Sequence, residues 1–249
     1  MSAKKAQSAL IIFLDDTNRD KIHSRLADNL SDNEKDRLYT AFLEDTIFTC
    51  LNLPNTVLKV NYPSEEALEI VKNSIESLKE RLSPRLKKTL NGGDVVTIMS
   101  EGESQGERLK HAFEQAFEKG FSPVVLIGCV TPTLSKKTLQ NAFRCLKKSD
   151  VVFGPTLEGS YYLIGLSEMQ EDVFDNIDWF GDEAVYSQMV NVVSSGSLKW
   201  HELDLWYDLR QPEDFEFLIR DINFFRQVGD EKSASSTEVV LGEILKKMP

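Results

Sequence analysis

Residues 123–166, PVVLIGCVTPTLSKKTLQNAFRCLKKSDVVFGPTLEGSYYLIGL, decide how this chain folds. The apolar run Val124 to Ile127 stops at Gly128, which suits a short strand buried on both faces. A small loop carrying Pro132 follows, and Ser135 to Lys148 reads as a helix. Asp150–Phe153 and Tyr161–Leu166 read as strands separated by a glycine-rich turn.

The same alternation extends to both sides. Upstream, Ser8–Leu14, Asn55–Asn61 and Asp94–Ser100 read as strands. Between them lie helices over Ser31–Leu51, from Ser64 onward, and over Gln105–Lys119. The first opens with the capping box Ser31-Asp-Asn-Glu34, and its apolar face is broken by one charge, Asp45. Downstream come a helix over Asp182–Ser194, a strand over Leu198–Leu203 and a helix over Pro212–Arg226. Glu231–Ser236 reads as a polar linker and Thr237–Lys247 as a short amphipathic helix. Alternating strands and helices imply a three-layer α/β/α unit with a mostly parallel sheet, and a ligand site beyond the carboxyl ends of the strands. The residues to watch therefore follow Leu14, Ser100, Ile127 and Phe153, together with those near Asp208.

Composition narrows the function classes. The chain has 249 residues, 41% of them hydrophobic, enough for one large domain with a substantial core. Its formal net charge of −11 repels nucleic-acid backbones, so no nucleic-acid polymer is expected as a partner. A small phosphorylated ligand remains compatible, because local cations outweigh a distant acidic field. No apolar run approaches a membrane-spanning length, and the N-terminal stretch ALIIFLDD reads as a buried strand rather than a signal segment. Cys50, Cys129 and Cys145 have no metal-ligand spacing and read as reduced thiols of a cytoplasmic protein. His111 and His201 read as structural, and neither a nucleophile triad nor a Walker loop is present.

The stretch GPTLEGSYYLIGL (Gly154–Leu166), with IGCVTPTL before it, resembles a bacterial family of GT-A-like transferases. These are also labelled glycosyltransferase A-like or selenodomain-associated glycosyltransferases. Their fold is that of nucleotide-diphospho-sugar transferases, a Rossmann-like architecture shared with nucleotidyltransferases. The likeness runs from Ile11 to about Phe217. It implies one GT-A-like domain over residues 1–229, with a linker and C-terminal helix over 230–249 packing on it. It also implies a nucleotide or nucleotide sugar as partner, with Mg²⁺ or Mn²⁺ as cofactor.

The departures from the family pattern are chemical. The family's N-terminal phosphate loop corresponds to DDTNRDKIHSRL (Asp15–Leu26). There Asp15 and Asp20 replace a lysine and a glycine, His23 replaces a second lysine, and Arg25 is kept. Arg25 either forks onto phosphate or pairs with Asp28. In GESQGERLKHAF, Gly106 and Arg108 match, while Ser104 stands for an aspartate. That segment also reads as an ordinary helix start, with Ser104 as cap and Glu107 completing the box.

After the fourth strand the family's metal-binding aspartate is Val130. In DLRQPED, Asp208 is kept and the second carboxylate is Arg210. Two of three metal carboxylates are therefore replaced, and Asp208 alone makes a weak site for a hard cation. Arg210 serves either as a fixed cation for phosphate or as the ion-pair partner of Asp208. The resemblance implies catalytic roles for Asp208 and Glu158. It implies ligand contacts for His23, Arg25, Gly106, Arg108, Gly128 and Arg210. Tyr161 and Tyr162 alternate, so one faces the core and the other the pocket. Trp179 either walls the acceptor side or is simply buried. Two functions follow: a sugar or nucleotidyl transferase with an altered metal site, or a non-catalytic binding protein on the same scaffold.

Overall fold

The computed structural model describes residues 7–14, 30–91, 95–175, 177–179, 184–209 and 214–246. Seven strands form one sheet: β1 (Ser8–Phe13), β2 (Thr56–Tyr62), β3 (Val95–Met99), β4 (Val124–Ile127), β5 (Val151–Pro155), β6 (Tyr161–Leu166) and β7 (Trp200–Glu202). Their order is β3-β2-β1-β4-β6-β5-β7. Only β6 runs against its neighbours, pairing antiparallel with β4 and β5. The other adjacent strands are parallel.

Helices cover both faces, as a buried parallel sheet requires. They are α1 (Asp32–Leu51), α2 (Glu65–Arg81), α3 (Pro84–Asn91), α4 (Gln105–Glu118), α5 (Lys136–Cys145), α6 (Val185–Ser195), α7 (Asp214–Gln227) and α8 (Ser235–Leu245). The strand period of two divides the core. Leu10, Ile12 and Leu14 join α1, α2, α5, α7 and α8 on one face. Ala9, Ile11 and Phe13 join α4 and α6 on the other. No helix among the described residues is long and apolar enough to cross a membrane.

Local chemistry fixes where the helices begin. Ser31 accepts from the Glu34 amide while the Glu34 carboxylate accepts from the Ser31 amide, so the expected capping box is formed. Ser104 and Glu107 form the same box at the start of α4, and Ser64 caps α2 by accepting from the Ala67 amide.

Two differences from the sequence reading have clear causes. No helix is expected between α2 and β3, yet α3 is there. Ser83 caps it, accepting from the Leu86 amide, and Pro84 occupies the first helical position, where its missing N–H costs nothing. Leu86 and Leu90 then sit one helical step apart and are buried. The linker expected over Glu231–Ser236 is shorter, because α8 already starts at Ser235. The cause is the charge that breaks the α1 face. Asp45 is buried and accepts from the amides of Ser236 (3.0 Å) and Thr237 (2.8 Å), capping α8 from another helix. Burial raises the Asp45 pKa, against the pull of those hydrogen bonds. Arg81 and Glu44 hold the Ser236 hydroxyl in the same joint.

Candidate functional site

The chain runs from β1 outward to β2 and β3, then returns across β1 to β4. The crevice between the carboxyl ends of β1 and β4 is therefore the switch in strand order, where α/β sheets take their ligands. Ile12 pairs with Ile127, so Gly128 leaves the sheet beside Phe13 and Leu14. A Cβ built on Gly128 would meet no described atom within 4 Å. Among the described residues, backbone is thus open to approach at the switch point.

The loop after Gly128 is closed on its other side. Cys129, Val130, Thr131, Thr133 and Leu134 are all buried. The segment leading to α7 is fastened along this loop. Leu209 donates its amide to the Val130 carbonyl at 3.3 Å. The Thr133 hydroxyl lies 2.6 Å from the Tyr207 hydroxyl, which donates to Asp221 Oδ2 at 2.9 Å. A carboxylate only accepts, so the Thr133 hydroxyl donates to Tyr207 and the chain of hydrogen bonds has one direction. Burial first, and the charge of Asp221 next, push the Tyr207 pKa well up. Nothing in the sequence near Tyr207 signals this relay, because its partners lie on two other segments.

Val130 and Asp208 are thus brought to one place by backbone pairing. Asp208 is 3% exposed and has interactions of its own. Val130 is packed in the apolar cluster of the α1 face and offers no ligand atom. Among the described residues, no three His, Cys, Asp or Glu side chains group in a way that would hold a metal ion. A hard divalent cation wants several oxygens, so the described donors do not fit one here.

The turn from β5 to β6 forms the far wall. Thr156 and Ser160 exchange backbone and side-chain hydrogen bonds across it, and Gly159 takes φ +75. Leu157 donates to the Trp206 carbonyl at 3.0 Å, so the same 203–209 segment borders this turn as well. Glu158 is exposed at its tip. Gly154 lies beneath the ring of Tyr162, whose atoms would sit 2.4 Å from an added Cβ. Tyr162 is buried, and its hydroxyl donates to the Asp204 carbonyl at 2.9 Å. Tyr161 points to the opposite face, half-buried, edge-on to Trp179 and 3.4 Å from the Gln105 amide nitrogen.

On that face the start of α4 meets the strand ends. Ser104 accepts from the Glu107 amide, and the Glu107 carboxylate takes the amides of Glu103 and Ser104. Those amides are therefore committed within the helix. Gly106 packs against Trp179, whose ring nitrogen would be 2.5 Å from a Cβ there. Arg108, one turn in, is half-buried with partners of its own. His111 lies 3.8 Å from Glu101, and His201 is exposed on β7. His23, Arg25 and Arg210 lie outside the described residues.

Comparison with known proteins supports the architecture. Residues 64–180 match the model of a family described as an uncharacterized protein conserved in bacteria (DUF2064). No curated protein matches the chain. Among solved structures, a protein of Desulfovibrio desulfuricans G20, provisionally described as a nucleotide-diphospho-sugar transferase, is 27% identical. The match has a TM-score of 0.76 and covers 97% of this chain and 98% of that one. A 4-diphosphocytidyl-2C-methyl-D-erythritol synthase of Anaerococcus prevotii DSM 20548 is 12% identical, with a TM-score of 0.57, covering 88% of this chain and 96% of that one. The second likeness is one of fold alone. The expected nucleotide-diphospho-sugar transferase-like α/β fold is therefore found, and over residues 64–180 the chain is similar to the bacterial family DUF2064.

Proposed function

We propose that this protein binds a nucleotide or nucleotide sugar in the crevice between the ends of β1 and β4, on a transferase scaffold whose metal chemistry is altered. The observation that carries this reading is the open backbone at Gly128, at the switch in strand order. The relation to the Desulfovibrio protein across nearly the whole chain supports the ligand class. In this reading Arg108, Arg25 and Arg210 meet the phosphates, because arginine keeps its charge and donates two parallel hydrogen bonds. Gly106 and His23 border the same ligand, and Glu158 and Asp208 address the sugar or the leaving group. Val130 favours a second reading, a binding protein without transferase activity, since it puts a buried apolar side chain where a metal carboxylate would work.

Calorimetric titration with UDP, GDP, CTP and their sugar conjugates tests the proposal. Wild type should bind one of them with or without Mg²⁺. Arg108→Ala and Arg25→Ala should each lose about 1.5–3 kcal/mol, roughly ten- to a hundredfold. If wild type binds none, the reading fails. If both variants bind as wild type does, the phosphates lie elsewhere. Turnover of a nucleotide sugar separates the transferase from the binding protein.

A further inference from the structure

A second cleft opens beside the amino ends of β1 and β2, and its smaller pocket reaches the 132–135 end of the loop whose other end, at Gly128, carries the candidate site. Two adjoining pockets of about 460 and 380 Å³ meet there and share Phe48, Asn52, Lys136 and Lys232. Gln7 and Thr56, at the entries to β1 and β2, border the larger one. Five cations line the pair: Arg81, Arg85, Lys136, Lys137 and Lys232. Arg81 is committed to Glu44 at 3.5 Å and to the hydroxyls of Ser235 and Ser236. Arg85, Lys136, Lys137 and Lys232 form no ion pair among the described residues. The one carboxylate in the lining, Asp230, accepts from the amides of Lys232 and Ser233 and from the Ser233 hydroxyl, closing its own turn.

Four cations with a single carboxylate, Asp230, among them leave the lining net positive, and the fold adds to that excess. Arg85 stands in the first turn of α3, and Lys136 and Lys137 open α5. Positive side chains at helix N-termini oppose the macrodipole, where an anion is favoured. In contrast, α1, α2, α4, α7 and α8 carry carboxylates in their first turns. On a chain of net charge −11 the cleft is a local positive focus. An anion lying between the two helix starts would relieve both terms.

We propose that this cleft is an anion site for a small phosphate-bearing molecule, separate from the strand-end crevice. Its volume is on the scale of small-molecule pockets, roughly 300–1,000 Å³. Four cations suit a multiply charged phosphate or pyrophosphate group better than a single carboxylate. The acidic surface disfavours a nucleic-acid strand.

The test is a titration of inorganic pyrophosphate, and separately UDP, into full-length protein at low salt, followed by backbone amide NMR signals. The signals of Asn52, Leu86 and Lys136 should shift and saturate. In the double variant Arg85→Ser, Lys232→Ser, both exposed positions, the midpoint should rise at least tenfold while the other amide signals keep their positions. A lower midpoint for UDP than for pyrophosphate assigns an organic phosphate ester, and equal midpoints assign a free phosphate. Two results overturn the proposal: no shift at these amides in wild type, or an unchanged midpoint in the double variant. Shifts confined to Gly128–Thr131 and Ser160 would also overturn it, because the anion would then belong to the strand-end crevice.

Discussion

Gly154, inside β5, and Gly128, just past the end of β4, are glycines for opposite reasons. Gly154 is covered, with the Tyr162 ring filling the space where a side chain would start. Gly128 is open, with no described atom near its missing Cβ. The difference extends to the segments around them. Along Gly154–Leu166 the glycines serve packing. Gly159 has φ +75 with Ala184 against it, and Gly165 has Leu146 3.0 Å from its absent side chain. The stretch that most resembles a transferase family is thus one that holds strands and turn together. The segment from Gly128 to Val130 is where the proposed chemistry would sit, and it carries no carboxylate. A retained scaffold motif is evidence of fold, and it says little about whether the reaction is retained.

The largest expected effect tests the covered glycine. Gly154→Val drives two methyl groups into the Tyr162 ring, and displacing that ring also strips its hydroxyl of the Asp204 carbonyl. Overpacking plus one lost buried hydrogen bond should destabilise the protein by about 4 kcal/mol. Denaturant unfolding of the variant measures this. A loss below about 1 kcal/mol would mean that the ring moves aside freely and that the packing account of the motif is wrong.

Next in size is Val130→Asp, which puts a carboxylate where the resemblance to the transferase family implies one. The side chain is 7% exposed among apolar neighbours, with Asp208 in the adjoining segment. A second carboxylate buried there should cost about 3 kcal/mol in metal-free buffer. Adding Arg210→Asp and millimolar Mg²⁺ should recover part of the loss if the donors then converge on one ion. Thermal unfolding with Mg²⁺ or with a chelator is the measurement. Equal curves for the double variant under the two conditions would show that the site differs from a metal site by more than two side chains.

What was legible in the sequence follows the same division. The strands and helix starts could be read because each is written locally. Val124–Ile127 is a continuous apolar run, and Ser31, Ser64 and Ser104 each stand at the start of a helix they cap. Helix α3 was less visible because it is short, although Ser83-Pro84 is a recognisable start. The role of Asp45 was not legible, since its partners Ser236 and Thr237 are far along the chain. The same holds for the site. That Leu209 meets Val130 and Tyr207 meets Thr133 depends on tertiary pairing, which no spacing rule reports. The resemblance supplied the positions Val130 and Asp208, but not their burial.

A smaller effect sets the scale for charge inside the sheet. Lys59 on β2 is 1% exposed, its ammonium has no hydrogen-bond partner among the described residues, and it lies 5.6 Å from the Phe121 ring centroid. Burial, with Lys119 nearby, lowers its pKa from 10.5 to about 8. Between those values the unfolded chain binds the proton that the folded one has released, so this group's contribution makes stability rise with pH across that window. Below about pH 8 the full penalty is present. Tyr162, Tyr186 and Tyr207 have raised pKa values and pull stability the other way at high pH. The contribution must therefore be read as the difference between wild type and Lys59→Met. The variant should be more stable at pH 7 by on the order of 1–3 kcal/mol, with the gap closing towards pH 10.5. A gap constant from pH 7 to 10.5 would mean that Lys59 reaches solvent. Buried charge on this sheet would then cost less than the Val130→Asp prediction assumes.

The smallest effect on stability carries the most information about function. Gly128→Leu places a branched side chain at the mouth of the β1–β4 crevice. The position has no positive φ and no described neighbour within 4 Å of the new Cβ, so neither backbone strain nor an overlap of that Cβ with the described residues is introduced. Replacing glycine also reduces the freedom of the unfolded chain, worth about 0.4–1 kcal/mol in favour of the fold. The exposed apolar surface of leucine offsets part of that gain, so stability should stay within about 0.5 kcal/mol of wild type. Ligand affinity should respond differently. If a nucleotide approaches the backbone at the switch point, the side chain occupies its place, and binding should weaken at least tenfold, about 1.4 kcal/mol. Gly154→Val is the counterpart, expected to lose stability first and binding only as a consequence. Unfolding curves and nucleotide titrations on both variants therefore separate scaffold from site. If Gly128→Leu binds as wild type does, the open backbone at Gly128 is not where the ligand sits. If it unfolds as readily as Gly154→Val, the space over Gly128 is filled in solution and the contrast between the two glycines disappears.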